Sequence, residues 1–237
     1  MRIDEYIKQI EQKQHKRYEL TKYQEENFEN ARIAFEKCCR SILPKWQDKH
    51  PELTDQIVRY ALQLDSFNGD TDKGLILMGA TGVGKTVYLK SLSLFMGYAQ
   101  KFKFKIYTGF EMERIYQAEG EDLFALESAI KSKMFAIDDI GEEHSTIKRY
   151  GTEINVGVDA LTQRHQLYTN KGYLTFATTN LNAEMIGKKY GKRIESRIYE
   201  MFNFIGVKGQ DLRKWGITHF ANRESRMVKH KKWNSAA

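Results

Sequence analysis

Eight residues constrain this chain more than any others: Gly79-Ala80-Thr81-Gly82-Val83-Gly84-Lys85-Thr86. They fit G-x-x-x-x-G-K-[ST] without a mismatch. The flanks carry as much information as the match. An apolar run, residues 74–78, precedes the segment, and a stretch of helical character, residues 87–96, follows it. Strand, glycine loop and helix in that order gather free backbone N–H groups and the positive end of a helix around one point, which makes an anion site. Glycine at these positions lets the backbone approach an anion without a side-chain clash. Lys85 is expected to reach the β- and γ-phosphates of a nucleotide and the Thr86 hydroxyl to ligate Mg2+. ATP with Mg2+ is therefore the expected ligand, held by residues 79–86 together with Val87 in the first helical turn.

The rest of the chain supplies a scaffold for such a loop. From Gly74 onward, short apolar segments (74–78, 102–107, 134–137, 173–177 and 201–205) alternate with helical ones. That alternation predicts an α/β fold with a central parallel sheet covered by helices on both faces. Upstream, Phe28, Ala31, Phe35, Cys38/Cys39 and Ile42 recur at helical spacing, and Pro44 stops the helix. Leu53, Ile57, Tyr60/Ala61 and Leu64 mark a second helix, which Asn68-Gly69-Asp70 ends. Residues 3–20 carry only a thin stripe of Ile3, Ile7 and Ile10. The organisation expected is a helical N-terminal extension over 1–50 that docks a partner, then an ATPase domain over 51–237 with a basic C-terminal region.

Composition narrows the class. Of 237 residues, 41% are apolar, enough for a core, yet no apolar run approaches the roughly 20 residues that cross a bilayer. The charged N-terminus lacks an apolar signal core, so a cytoplasmic protein without membrane association is expected. Two adjacent cysteines, Cys38 and Cys39, with no C-x-x-C pair, give no zinc or disulfide framework and read as structural thiols. The net charge of +7 is unevenly placed: from Ile186 onward 13 Lys/Arg face 4 Asp/Glu, and the remainder of the chain is slightly acidic. A basic end points to an anionic partner, with nucleic acid the expectation and a solvated tail the alternative. Lys101-Phe102-Lys103-Phe104-Lys105 interleaves charge and rings, which suits base stacking and strand tracking; a half-buried strand gives the same alternation.

Two further segments carry candidate chemistry. After the apolar run 134–137 comes Asp138-Asp139. Asp138 is expected in the magnesium shell and Asp139 as the base that polarises the attacking water, with Glu142 or Glu143 as substitutes if Asp139 is too short to reach. Asn180 closes the next apolar segment. It either orients the water or contacts the γ-phosphate, or it caps the helix that follows.

The ordered set GATGVGKT, FAIDDIGEE, LTFATTN, GKRIESRI and VKGQDLR resembles the AAA+ ATPases of the bacterial helicase-loader group, which also takes in the helper ATPases of certain insertion-sequence transposons. The resemblance covers about residues 52–215. It implies a three-layer P-loop AAA+ fold and roles for individual residues: Asp138 as the acid that organises magnesium, Asp139 where such motors usually carry Glu, Asn180 as sensor 1. Arg197 matches the arginine finger offered to a neighbouring subunit, and Arg213 falls where the sensor-2 arginine belongs, with Asp211 in place of a more typical Ser. Arg193 and Arg164 are further candidates. The partners implied are DNA, single- or double-stranded, a replicative helicase or a transposase, and further copies of the chain in an ATP-dependent homo-oligomer. A small-molecule kinase and an ATP-binding switch with little turnover are the rivals from other classes.

Overall fold

Apolar runs too short for helices become the strands of the central sheet. The computed structural model describes residues 26–99, 101–118, 121–143, 147–149 and 152–209. In chain order the elements are α1 (Phe28–Ile42), α2 (Pro51–Ala61), β1 (Gly74–Met78), α3 (Lys85–Ala99), β2 (Lys105–Thr108), α4 (Gly109–Ala118), α5 (Glu121–Ile130) and β3 (Met134–Ile140). A short antiparallel hairpin follows, β4 (Ile147–Arg149) and β5 (Thr152–Ile154). Then come α6 (Val156–Lys171), β6 (Leu174–Thr179), α7 (Ala183–Tyr190), α8 (Lys192–Met201) and β7 (Phe202–Gly206). The basic region beyond residue 209, including Arg213, and the stripe of Ile3, Ile7 and Ile10 lie outside the described residues. No helix among the described residues is long and apolar enough to cross a membrane.

The main sheet has the order β2-β3-β6-β1-β7, and every pairing in it is parallel. β6 thus lies between the strand that feeds the glycine loop and the strand that ends in the two aspartates. In open α/β sheets a ligand site sits beyond the carboxyl ends of the strands, where the strand order reverses. That edge collects the ends of β1, β3 and β6.

Apolar side chains pack against both faces of the sheet. One face buries Leu75, Leu77, Ala136 and Phe176 with residues of α2 and α3, and the other buries Ile76, Phe135, Ile137 and Ala177 with residues of α5, α6 and α8. Phe35 and Cys39 of α1 are fully buried in the first of these clusters. Phe35 stacks on Tyr88 at 6.4 Å and meets Phe95 edge-on at 5.6 Å. Arg32 ties α1 to the following segment, donating to Asp55 at 2.7 Å and Asp48 at 3.3 Å. The stripe read on residues 28–42 is therefore packed into the same core as the sheet. Burial pushes the Cys39 thiol up to about 12, so it acts as a small apolar side chain rather than a nucleophile.

The strand expected over 102–107 begins later, at Lys105. Its ladder with β3 starts at Lys105↔Phe135, the second residue of that partner strand, so residues 102 and 103 lie before the strand they would pair with. Phe104 turns into the core and stacks on Phe176 at 4.5 Å, while Phe102 stays 45% exposed.

Arg164, one of the candidate nucleotide-contacting arginines, is instead a structural bolt. It is fully buried on α6 and donates to the carbonyls of Ile130, Ser132 and Leu174, each at 2.6 Å, and to Thr175 Oγ1 at 2.9 Å. These acceptors belong to the turn after α5 and the start of β6, which the five donors of one guanidinium can satisfy together. Burial lowers its pKa to about 10, so it remains charged at neutral pH. Arg164→Ala is expected to destabilise the fold by about 2–5 kcal/mol, because several buried carbonyls lose their donors at once. Urea unfolding monitored by tryptophan fluorescence measures this, and a midpoint equal to wild type would contradict it.

Candidate nucleotide site

The glycine loop leaves β1 under tight steric constraint. A Cβ at Gly79 would collide with the Val207 carbonyl just past β7, and Gly82 and Gly84 take φ of 84° and 98°, the left-handed region that favours glycine. The loop ends in the first turn of α3, which begins at Lys85. Lys85 is only 4% exposed; its Nζ donates to the carbonyls of Gly79 at 2.8 Å and Ala80 at 2.9 Å and to Asn180 Oδ1 at 2.6 Å. These contacts hold the ammonium inside the loop's own curve, beside the end of β6.

Asp138 and Asp139 are handled differently by β3. Asp138 stays in the strand, 3% exposed, accepting from Thr86 Oγ1 at 3.1 Å and Thr178 Oγ1 at 2.6 Å. At Asp139 the register with β6 shifts between Ile137 and Ile140, and the residue adopts φ 58°. Aspartate is among the few side chains that tolerate this conformation. Its backbone N–H donates to Thr178 Oγ1 at 2.8 Å. The bulge turns the Asp139 carboxylate out of the ladder and into the cavity above the strand ends. Burial raises its pKa above the ordinary range, as does the charge of Asp138, and the nearby Lys85 ammonium pulls the other way.

The insertion of β6 explains these contacts. Thr178, at its end, bridges the two aspartates, and Asn180, just past it, bridges Lys85 and Glu142, donating from Nδ2 to Glu142 Oε1 at 2.6 Å. The helix after β6 is capped by Asn182, whose side chain accepts from Met185 N at 2.8 Å. Asn180 therefore does not cap that helix; its side chain meets Lys85 and Glu142 instead.

These residues line one cavity of about 640 Å³: Thr81, Gly82, Gly84, Lys85, Thr86, Val87, Asp139, Glu142 and Asn180. Leu43, Thr108, Gly109 and Phe110 complete its wall. These four were missed in the sequence, although a signal existed. Thr108 and Glu111 form a capping box: Thr108 N donates to Glu111 Oε2 at 2.7 Å, and Glu111 N to Thr108 Oγ1 at 3.1 Å. The T-x-x-E pattern thus marks the end of β2 and the mouth of the cavity. A second cavity of about 590 Å³ is lined by Lys49, His50, Pro51, Phe204, Ile205 and Gly206, among others. It lies beside the loop, because a Cβ at Gly209 would come within 3.4 Å of the His50 ring and 3.7 Å of Val83 Cγ1.

Glu143, a substitute candidate for the base, is excluded from that role. It is 3% exposed, accepts from Gly141 N at 3.0 Å, and is hydrogen-bonded by the Tyr190 hydroxyl. Lys189 adds bonds to the carbonyls of Gly141 at 2.9 Å and Glu143 at 2.6 Å. The end of α7 therefore pins the loop after β3, and Glu142, which is exposed and lines the cavity, is left as the only one of the two glutamates near the loop lysine's network.

Arg197 does not line this cavity. It lies on α8 and donates from Nη1 to Thr162 Oγ1 of α6 at 2.9 Å. Arg193 is exposed on the same helix.

The oxygen groups at the start of α3 and the end of β3 suit magnesium. Thr86 offers a hydroxyl and Asp138 a carboxylate, both oxygen ligands, 3.1 Å apart. Magnesium takes oxygen ligands, usually one or two from protein, and completes its shell with water and substrate phosphate.

No family model matches the chain, and no curated protein sequence matches it. Solved structures do. The crystal structure of DnaI aligns with a TM-score of 0.56 at 20% identity, over 73% of this chain and 92% of that one. The crystal structure of the DnaC helicase loader aligns at 0.50 and 19% identity, over 69% and 92%. The chain shares the fold of these two structures, a parallel sheet between helices that carries a glycine loop after its first strand. The replication initiator DnaA, bound to AMPPCP and single-stranded DNA, shares it at a TM-score of 0.51 and 10% identity, over 70% of this chain and 48% of that one.

Proposed function

We propose that this protein is an AAA+ ATPase that binds and hydrolyses ATP and handles DNA in the manner of a helicase loader. The observation that carries the reading is the single cavity into which the loop, the second aspartate, Glu142 and Asn180 converge. In this reading the loop amides and Lys85 hold the triphosphate, and the base and ribose take the adjoining cavity by His50. Thr86 and Asp138 hold Mg2+, which when bound neutralises charge on the phosphates. Asp139 accepts a proton from the attacking water, Asn180 fixes the position of the γ-phosphate or the water, and Arg197 serves the site of a neighbouring subunit. Support for a DNA-replication role comes from the solved likenesses, two of which are a helicase loader and an initiator bound to single-stranded DNA. The transposition-helper alternative uses the same site and has no observation of its own in its favour.

Lys85→Ala tests the site. Removing the charge that compensates phosphate is expected to weaken Mg·ATP binding by on the order of 10- to 100-fold or more, the equivalent of one lost charge-assisted contact of about 1.5–3 kcal/mol. Calorimetric titration measures it, and equal affinity in both proteins would remove the loop from the reading.

A further inference from the structure

The nucleotide site occupies the carboxyl ends of the strands. The opposite end of the sheet holds a different assembly. Residues 101–105 enter β2 there, and residues 131–133 enter β3 beside them, since Lys105 pairs with Phe135. The two segments expose Lys101, Lys103, Lys105, Lys131 and Lys133. The one carboxylate in the adjoining turn, Glu127, sits 3.8 Å from Lys131. Phe102 lies among these lysines with 45% of its surface exposed, and Lys133 Nζ is 4.4 Å from its ring centroid. A cleft of about 300 Å³ runs between the segments, lined by Phe102, Lys103, Lys105, Ser128, Ser132 and Lys133, among others. Phe102 and Lys133 also border a second cavity, of about 670 Å³, that continues toward Asp72, Tyr168 and Thr169.

Both segments are fixed from beneath, which separates this surface from an ordinary solvated lysine face. Phe104 is buried against Phe176, and Ser93 Oγ donates to the Phe104 carbonyl at 2.7 Å. On the other side the Arg164 guanidinium holds the Ile130 and Ser132 carbonyls, and Ser132 Oγ donates to Ala129 O at 2.6 Å and Met134 O at 2.7 Å. The lysines therefore project from two anchored turns at a set spacing.

We infer that this end of the sheet binds a single strand of nucleic acid, with phosphates against Lys103, Lys105 and Lys133 and a base on the open face of Phe102. Charge complementarity selects a polyanion, and the exposed ring selects a strand whose bases are unpaired, because a duplex offers no free base to stack. The inference rests on the DNA-handling reading above and assigns it a surface remote from the nucleotide.

The test is fluorescence anisotropy with a labelled oligo-dT strand, across a salt series, with a non-hydrolysable ATP analogue present. Lys103→Glu/Lys105→Glu/Lys133→Glu is expected to lose at least ~10-fold in affinity at low salt and to flatten the salt dependence by about two units of log–log slope, as the loss of three phosphate contacts requires. Phe102→Ala is expected to lose about 5- to 100-fold for the single strand and much less for a duplex of equal length, the effect of removing one stacked base. Each variant is checked for wild-type urea unfolding and ATP-analogue affinity. Wild-type-like binding by both variants would overturn the inference and leave DNA handling standing, with the strand bound elsewhere. Absence of binding by the wild-type protein at low salt would overturn both. Tighter binding of an acidic peptide than of oligo-dT, lost in the triple variant, would give the surface to a protein partner instead.

Discussion

Arg197→Ala is expected to slow ATP turnover by about 10³–10⁵-fold, the effect of withdrawing an arginine from phosphoryl transfer, while leaving ATP affinity near wild type. The residue faces Thr162 on α6 and is not part of its own subunit's nucleotide cavity. In the proposed reading it reaches a phosphate from a neighbouring copy. A guanidinium suits that task because it stays charged and spreads several donors over phosphate oxygens. Sharing of sites has a signature that a local defect cannot produce. Lys85→Ala and Arg197→Ala should each be inactive alone, yet a mixture should regain part of the activity, because some interfaces then pair an intact loop with an intact arginine. The measurement is phosphate release by the mixture, under conditions where sizing shows ATP-dependent assembly. Full activity of Arg197→Ala as a monomer would reduce the arginine to a tie between α8 and α6.

Asp139→Asn is expected to lower turnover by about 10²–10⁴-fold, the usual contribution of a positioned base, with Mg·ATP affinity close to wild type. The amide keeps the shape and can still occupy a left-handed backbone, which Asn tolerates as well as Asp. Only the capacity to accept a proton is lost. Asp138→Asn should behave differently, weakening nucleotide binding in magnesium but not in its absence, because that carboxylate lies against Thr86 rather than in the open cavity. Single-turnover phosphate release and calorimetry, run on both variants, separate the two roles. Normal hydrolysis by Asp139→Asn would pass the base to Glu142, which lines the same cavity and accepts from Asn180.

The sequence disclosed what local patterns can disclose. Apolar runs located all five strands of the main sheet; β1, β3 and β6 are buried on both faces and have no polar alternation to disguise them. The glycine loop was legible because its backbone demands particular residues at fixed spacing. Strand order was not legible. That β6 lies between β1 and β3 is a non-local pairing, and it decides that Thr178 touches both aspartates and that Asn180 reaches Lys85. The stripe on α1 showed an apolar face without showing what covers it; Phe35 and Cys39 answer by sitting in the sheet's own core. Arginines were the least legible residues. Arg164 and Arg197 look alike in sequence, and only the positions of the Ile130, Ser132 and Leu174 carbonyls make the first structural. The same holds for Glu142 and Glu143, one residue apart, where Tyr190 and Gly141 claim the second. The start of β2 was read three residues too early because Phe102 and Phe104 alternate with lysines as a strand would, whereas the ladder with β3 begins only at Lys105.

The central claim is that the cavity at the strand ends hydrolyses ATP, and phosphate release by the wild-type protein with Mg2+ and ATP tests it most directly, with and without single-stranded DNA. The account predicts multiple turnovers that require Mg2+, rise with protein concentration as subunits assemble, and disappear in Lys85→Ala. Tight Mg·ATP binding with no phosphate released beyond background, at concentrations where oligomers form and with DNA present, would contradict it and leave a nucleotide-binding switch.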